Sequence, residues 1–233
     1  MATGHSHTLK AFDEELNRLR AMISQMGGLA EHAIREAMRC LMKRDCDGAR
    51  QAVEDDRKID ALEAEAEQRI VQLIALRAPM ADDLREAVAA LKIVAVVERI
   101  GDYAKNIARR VPEIGTSAKI APISLLPEMA RMVAEMVHEV LEAFVRRDPE
   151  RARAVVERDV AVDDFYNSIF RALLTVMMED PAKITESAHL LFVAKNLERI
   201  GDHATNIAEM VYYAATGERL AERVKGQGPA DAR

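Results

Sequence analysis

The chain has 233 residues, no tryptophan and a formal net charge of -6, and 49% of its residues are hydrophobic. The acidic balance argues against nucleic acid as the main partner, and Cys40 and Cys46 are too few for a disulfide framework, which favours a reducing compartment such as the cytoplasm. No run of about 20 apolar residues is present, so the sequence predicts no transmembrane segment.

Hydrophobic periodicity and helix-breaking residues predict six long helices and no strands. The first three helices are predicted at about 8–43, 49–76 and 82–111, and the last three at about 123–147, 149–179 and 181–216. Asp148-Pro149 and Asp180-Pro181 are each typical of a helix start, with aspartate as the N-cap and proline as the first helical residue.

The segment Glu-Arg-Ile-Gly-Asp occurs twice, at residues 98–102 and 198–202, and an Asn-Ile-Ala triplet follows it at the same distance in both copies. This internal repeat predicts an all-α fold of two tandem, pseudo-symmetric three-helix bundles, with six long antiparallel helices. The predicted units are residues 1–115 and 116–217, and the polar stretch 218–233 is predicted to be disordered.

On a helical wheel, the third and sixth helices each carry a narrow apolar stripe that is predicted to face the core. The stripes consist of Ile93, Val97, Ile100, Ala104 and Ile107, and of Val193, Leu197, Ile200, Ala204 and Ile207. Gly101 and Gly201 lie in the middle of these helices, where glycine costs roughly 1 kcal/mol relative to alanine. We therefore expect something to pack or bind close to the backbone at both glycines.

Acidic residues spaced i,i+4 recur in both halves, and on the third and sixth helices they lie on the side away from the apolar stripes. The pairs are Asp56 and Asp60, Glu98 and Asp102, Asp159 and Asp163, and Glu198 and Asp202. In each half the predicted turn lies midway between the two pairs, so antiparallel helices place four carboxylates at one height. A cation would relieve their repulsion, and an all-oxygen ligand set suits Mg, Mn or Fe better than zinc. Candidate supporting residues on the same helices are Asn106, Asn206, Arg99 and Arg199.

Three alternative interpretations of the acidic pairs stay open. Isolated pairs of this kind are usually solvated and paired with arginine, and Arg99 and Arg199 are available for that. The carboxylates could also serve a metal-dependent hydrolase of phosphate compounds, although no nucleophile, general base or glycine-rich phosphate loop accompanies them. The third alternative is a metal store or a purely structural helical bundle.

With its doubled ERIGD motif and the Asn-Ile-Ala that follows, the sequence resembles the PhoU family, the accessory regulators of bacterial phosphate uptake. The likeness covers nearly the whole chain and includes residues 12–16 and the segment Arg77-Ala78-Pro79. It implies two three-helix bundles and a cytoplasmic, often dimeric protein that is not an enzyme. Some members bind metal clusters through E(D)xxxD motifs, which correspond here to the eight carboxylates of the four acidic pairs.

The resemblance also implies a function and a set of partners. We expect a negative regulator of phosphate-starvation genes and of phosphate uptake, active when phosphate is plentiful. The implied partners are the ATPase subunit of the phosphate ABC transporter and a sensor histidine kinase, and the protein is expected to act as an adaptor between them. A second copy of the chain is the third implied partner. Association with the membrane is expected to be peripheral and to depend on those partners.

Overall fold

The computed structural model describes residues 3–114 and 120–220, with side chains from residue 12 onward, and this part of the chain is almost wholly helical. Its α-helices are α1 (Thr3–Lys43), α2 (Cys46–Asp55), α3 (Arg57–Arg77), α4 (Asp82–Arg110), α5 (Leu126–Arg146), α6 (Pro149–Glu179) and α7 (Ile184–Thr216). Short 3-10 turns, Ala121–Leu125 and Pro181–Lys183, precede α5 and α7. Within the described ranges, no helix is both long enough and apolar enough to cross a membrane. The predicted boundary at 115/116 and residues 221–233 of the predicted tail lie outside the described residues.

The all-α prediction of six long helices is confirmed, with one difference in detail. The second predicted helix consists of α2 and α3, which are separated only by Asp56. Asp56 keeps helical backbone angles (φ -57°, ψ -31°), so the interruption is a local break in the hydrogen-bond pattern rather than a turn. In the second half, α6 runs without a break through the corresponding residue, Asp159.

The helix ends follow the repeat. The Asp148 side chain caps α6 by accepting a hydrogen bond from the backbone N–H of Arg151 at 3.0 Å, as the sequence predicts. Asp180 also acts as a cap, but it begins the 3-10 turn that precedes α7. Arg44 and Arg147 follow the last residues of α1 and α5, and both adopt a left-handed conformation with φ 55°. The two halves therefore share the geometry of their first interhelical turn, whereas the turns before α4 and α7 differ.

Buried apolar side chains from both halves form one continuous core. Within the halves, α1 packs on α3 and α4, and α5 packs on α6 and α7, while the contacts of α1 with α5 and of α4 with α7 join the halves. All ten residues of the two predicted stripes are at most 1% exposed, so the predicted core faces of α4 and α7 are confirmed.

Helices α4 and α7 run antiparallel along the junction of the two halves. Near the end of α4, Arg110 Nη1 lies 3.3 Å from Nδ1 of His189, which is near the start of α7. At the other end, the Arg85 guanidinium, near the start of α4, lies against Gly217, which ends α7. The hairpin turn before α4 and the hairpin turn before α7 are therefore at opposite ends of this helix pair.

An ion triad around a buried glutamate also connects the halves. Glu86 of α4 is only 2% exposed. Its Oε1 accepts a hydrogen bond from Arg20 Nε of α1 at 2.8 Å, and its Oε2 lies 2.9 Å from Nη2 of Arg147, in the turn after α5. One carboxylate thus joins α1 and α4 to the turn between α5 and α6.

Candidate functional site

The acidic pairs of the first half meet around a lysine. Asp56 is 4% exposed, and its Oδ2 lies 2.5 Å from Lys105 Nζ. Oδ1 of Asp102 contacts the same nitrogen from the preceding turn of α4. An ammonium group therefore lies between two of the carboxylates for which the sequence predicts a metal ion.

Burial and charge act in opposite directions on this lysine and its partner. Burial raises the pKa of Asp56, and the hydrogen bond from Lys105 opposes that rise. Burial alone would lower the pKa of Lys105, but hydrogen bonds to Asp102 and Asp56 outweigh it, and the pKa is raised. The two carboxylates thus hold Lys105 in its charged form.

Glu98 and Asp60 belong to the same electrostatic cluster, together with Glu63, which the sequence reasoning did not single out. Burial, followed by the charges of Asp102 and Glu63, raises the pKa of Glu98 to about 7. Burial, followed by the neighbouring carboxylates, also raises the pKa of Glu63. Glu63 follows Asp60 by one helical turn on α3, so its position on the same face could have been found from periodicity.

In metal-free protein, we expect stability to fall as pH rises from about 4.5 to about 7, and Glu98→Gln to weaken that dependence. The raised pKa means that the folded protein keeps Glu98 protonated at a higher pH than the unfolded chain does. The resulting stabilisation is complete below the unfolded-state pKa of Glu98 and is lost as pH rises through its folded-state pKa. One pKa unit corresponds to about 1.4 kcal/mol, and partial exposure reduces the expected effect to the order of 1 to 2 kcal/mol.

The measurement is urea denaturation of wild type and Glu98→Gln, with a chelator present, at about pH 5 and about pH 7.5. Glu65→Gln, at a half-exposed position of α3, is the control and should retain the wild-type pH dependence. A Glu98→Gln variant that also retains it would show that Glu98 does not carry the effect.

In the second half, the structure brings together three of the four predicted carboxylates. Asp159 and Asp163 of α6 and Asp202 of α7 offer oxygen atoms that lie within 4.8 Å of one another, and Asp159 is only 1% exposed. Among the described residues, this is the one set of three or more such side chains with a spacing suited to a metal ion. Glu198 is engaged elsewhere, since its Oε2 lies 2.6 Å from Lys195 Nζ.

Each half therefore contains a lysine that the sequence reasoning missed, at a different place. Lys105 follows Asp102 by three residues, whereas Thr205 occupies the matching position after Asp202. Lys195 precedes Glu198 by three residues, whereas the matching position in the first half is an alanine. Comparing the two copies of the motif could have revealed both lysines, because each is a charged residue that is present in only one copy.

The two mid-helix glycines allow a close approach by aspartate, which confirms the expectation from the sequence. A Cβ atom at Gly101 would lie 3.0 Å from Oδ1 of Asp56 and 2.8 Å from a methyl group of Ile59. A Cβ atom at Gly201 would lie 3.0 Å from Oδ1 of Asp159. In both halves, the absence of a side chain lets a buried carboxylate pack against the neighbouring helix.

The four candidate supporting residues lie beside the clusters on α4 and α7. Arg99 and Asn206 are exposed, and the Arg199 guanidinium lies 5.8 Å from the centre of the Tyr103 ring. The side chain of Asn106 accepts a hydrogen bond at 3.5 Å from an arginine one turn further along α4. Their role as supporting residues of a metal site stays a prediction.

Comparisons with known proteins give a consistent result. The family model described as the PhoU domain matches residues 23–111 and again residues 126–211, so each match contains one of the two clusters. A phosphate-specific transport system accessory protein PhoU homolog from Zymomonas mobilis is 55% identical over 221 residues, which cover 95% of this chain and 93% of that protein. A protein of the same name from Rhizobium meliloti is 44% identical over 97% of this chain and 94% of its own length.

Solved structures show the same similarity. The crystal structure of PhoU from Pseudomonas aeruginosa superposes with a TM-score of 0.84 at 36% identity, and the match covers 89% of this chain and 100% of that one. The phosphate transport system regulatory protein PhoU from Streptococcus pneumoniae also superposes with a TM-score of 0.84, at 25% identity, over 90% and 99% of the two chains.

Proposed function

The chain belongs to the PhoU family, and from that premise we propose that it is an accessory protein of a phosphate-specific transport system which represses phosphate-starvation genes and phosphate uptake when phosphate is plentiful. The observation that carries the proposal is the 55% identity to a protein of that name over 95% of this chain. The doubled motif, with its two carboxylate clusters, lies within the residues that the family model matches.

We propose further that the protein works as a non-enzymatic adaptor in the cytoplasm, as a homodimer. Its partners would be the ATPase subunit of the phosphate ABC transporter and a sensor histidine kinase, through which it would meet the membrane. Surface chemistry supports two docking regions. Leu76 and Met80 are largely exposed at the hairpin turn before α4, and Met178 is largely exposed at the turn before α7. Because α4 and α7 are antiparallel, these apolar groups lie at opposite ends of the helix pair.

A hard divalent or trivalent cation such as Mg, Mn or Fe is the proposed ligand of the second cluster. Asp159, Asp163 and Asp202 fit it, because they offer only oxygen atoms within 4.8 Å of one another and one carboxylate is buried. The bound ion would supply positive charge. The carboxylates would hold that charge at the surface of α6 and α7, and the change in local charge would alter which partner docks there.

The test is a phosphate-starvation reporter in the source bacterium grown at high phosphate. Deleting the gene should raise reporter expression, and the wild-type gene should lower it again. An Asp102→Asn/Asp202→Asn double variant, made at normal protein levels, should restore repression less well if the acidic clusters matter. The control is Asp47→Asn/Glu150→Gln, which removes the same charge from highly exposed positions and should repress normally.

A reporter that ignores the deletion would contradict the regulatory proposal. Purified, metal-loaded protein that hydrolyses phosphate esters would favour the hydrolase alternative instead. Reversible loading with many ions, without binding of either proposed partner, would favour a metal store.

A further inference from the structure

The two halves differ at the position three residues after the aspartate of the repeated motif. In the first half, Lys105 reaches back to Asp102 and across to Asp56. In the second half, the matching residue is Thr205, whose hydroxyl donates a hydrogen bond at 2.7 Å to the backbone carbonyl oxygen of Asp202. The first cluster therefore has a cation supplied by the chain itself at a position where the second has a neutral side chain turned to the backbone.

An ammonium group and a metal ion compete for these carboxylate oxygen atoms. The Lys105 side chain is 17% exposed, and its nitrogen makes hydrogen-bond contacts with one carboxylate that is almost fully buried. A divalent ion placed between Asp56 and Asp102 would meet a positive charge at close range unless the lysine were displaced from both partners. Displacement would leave the ammonium without the contacts that offset its burial. The first-half residues thus do not fit the metal that the family resemblance implies for both halves.

We propose that Lys105 takes the place of a metal ion in the first half, so that the chain binds a hard cation at Asp159, Asp163 and Asp202 and none at Asp56 and Asp102. The inference rests on the metal binding proposed above. It adds that each chain binds one ion and that this ion lies in the second half. It makes the two pseudo-symmetric clusters functionally unequal: the first has fixed charge, and the second responds to metal.

The position of the lysine can be exchanged between the halves. Lys105→Thr gives the first cluster the residue of the second, and Thr205→Lys does the reverse. Lys92→Thr, which removes an exposed lysine from the same helix, is the matched control. Binding of Mn²⁺ to each purified protein, after removal of metal with a chelator, is measured by calorimetry and by the electron paramagnetic resonance signal of free Mn²⁺.

Wild type and Lys92→Thr are expected to bind one ion per chain. Lys105→Thr is expected to bind two ions, and adding Asp56→Asn to Lys105→Thr should remove the second. Thr205→Lys should weaken the wild-type site at least about tenfold, as changes next to metal ligands commonly do. Thermal unfolding gives a second readout, because Mn²⁺ should raise the midpoint of Lys105→Thr more than that of wild type. If Lys105→Thr folds poorly without metal, Thr205→Lys still tests the inference.

Two ions on the wild-type chain, with one lost in Asp56→Asn, would overturn this inference and leave the metal proposal standing. A Thr205→Lys variant with wild-type affinity would overturn it as well. If Mn²⁺ bound neither the wild type nor any variant, both the inference and the metal proposal would be overturned. The regulatory function is tested separately, by the reporter assay.

Discussion

Replacing Glu86 with alanine is expected to lower the free energy of unfolding by about 3 kcal/mol, because it removes the buried carboxylate of an ion triad. Glu86 is 2% exposed and lies between Arg20 and Arg147. Without the carboxylate, two guanidinium groups face one another beside a cavity, and the larger part of Arg20 stays buried. Urea denaturation of the wild type and the variant at neutral pH measures the effect.

The control for this prediction is Glu65→Ala, which removes a half-exposed partner of Arg69 from the surface of α3. Surface pairs of this kind contribute little, so a change within about 0.5 kcal/mol is expected. If Glu86→Ala were no more destabilising than this control, the triad would not be holding the two halves together. Because the halves share a core, the variant should still unfold in a single transition.

Replacing Gly201 with leucine is expected to destabilise the protein by about 3 kcal/mol, because it overpacks the contact between α6 and α7. A Cβ atom there would already lie 3.0 Å from Asp159 Oδ1, 3.4 Å from Val162 and 3.8 Å from Val133. The rest of a leucine side chain has no space in this setting. The gain in helix propensity over glycine, about 1 kcal/mol, is too small to offset the strain. The thermal midpoint and the urea midpoint should both fall.

Gly28→Leu provides the matched control within α1. Gly28 is exposed, and a Cβ atom there would meet no other atom within 4 Å. The same substitution should therefore be neutral or stabilise by up to about 1 kcal/mol. If leucine lowered the free energy of unfolding equally at Gly28 and Gly201, the close approach of Asp159 would not be the reason that Gly201 excludes a side chain.

Periodicity was enough to predict the helices and their buried faces. Residues such as Ile100 and Ile200 recur at helical spacing within long helix-forming segments, and no strand pattern competes with that signal. The repeat itself predicted that Asp56 would meet Asp102 and that Asp159 would meet Asp202, because a hairpin turn placed midway fixes the height of both partners. The fold and the position of the candidate site were therefore accessible from the sequence.

The partner of each charged side chain was not accessible in the same way. Lys105 and Lys195 look like ordinary surface residues on a helical wheel, and only the assembled hairpin shows that one of them reaches a buried aspartate. Glu86 and Arg20 are 66 positions apart, and the helical pattern gives the face of a residue but not its neighbour on another helix. The break at Asp56 has no helix-breaking residue beside it, so propensity alone predicts a continuous helix.

The antiparallel arrangement of α4 and α7 also sets a distance. Helix α4 has 29 residues, and at 1.5 Å per residue it separates the two exposed hairpin turns by about 45 Å. Two globular partners bound at those turns would have room to occupy the same protein molecule at once, without steric exclusion. Under the proposed function, the bundle would act as a spacer, and competition between the partners would come from the charged surface between the turns rather than from crowding at a shared end.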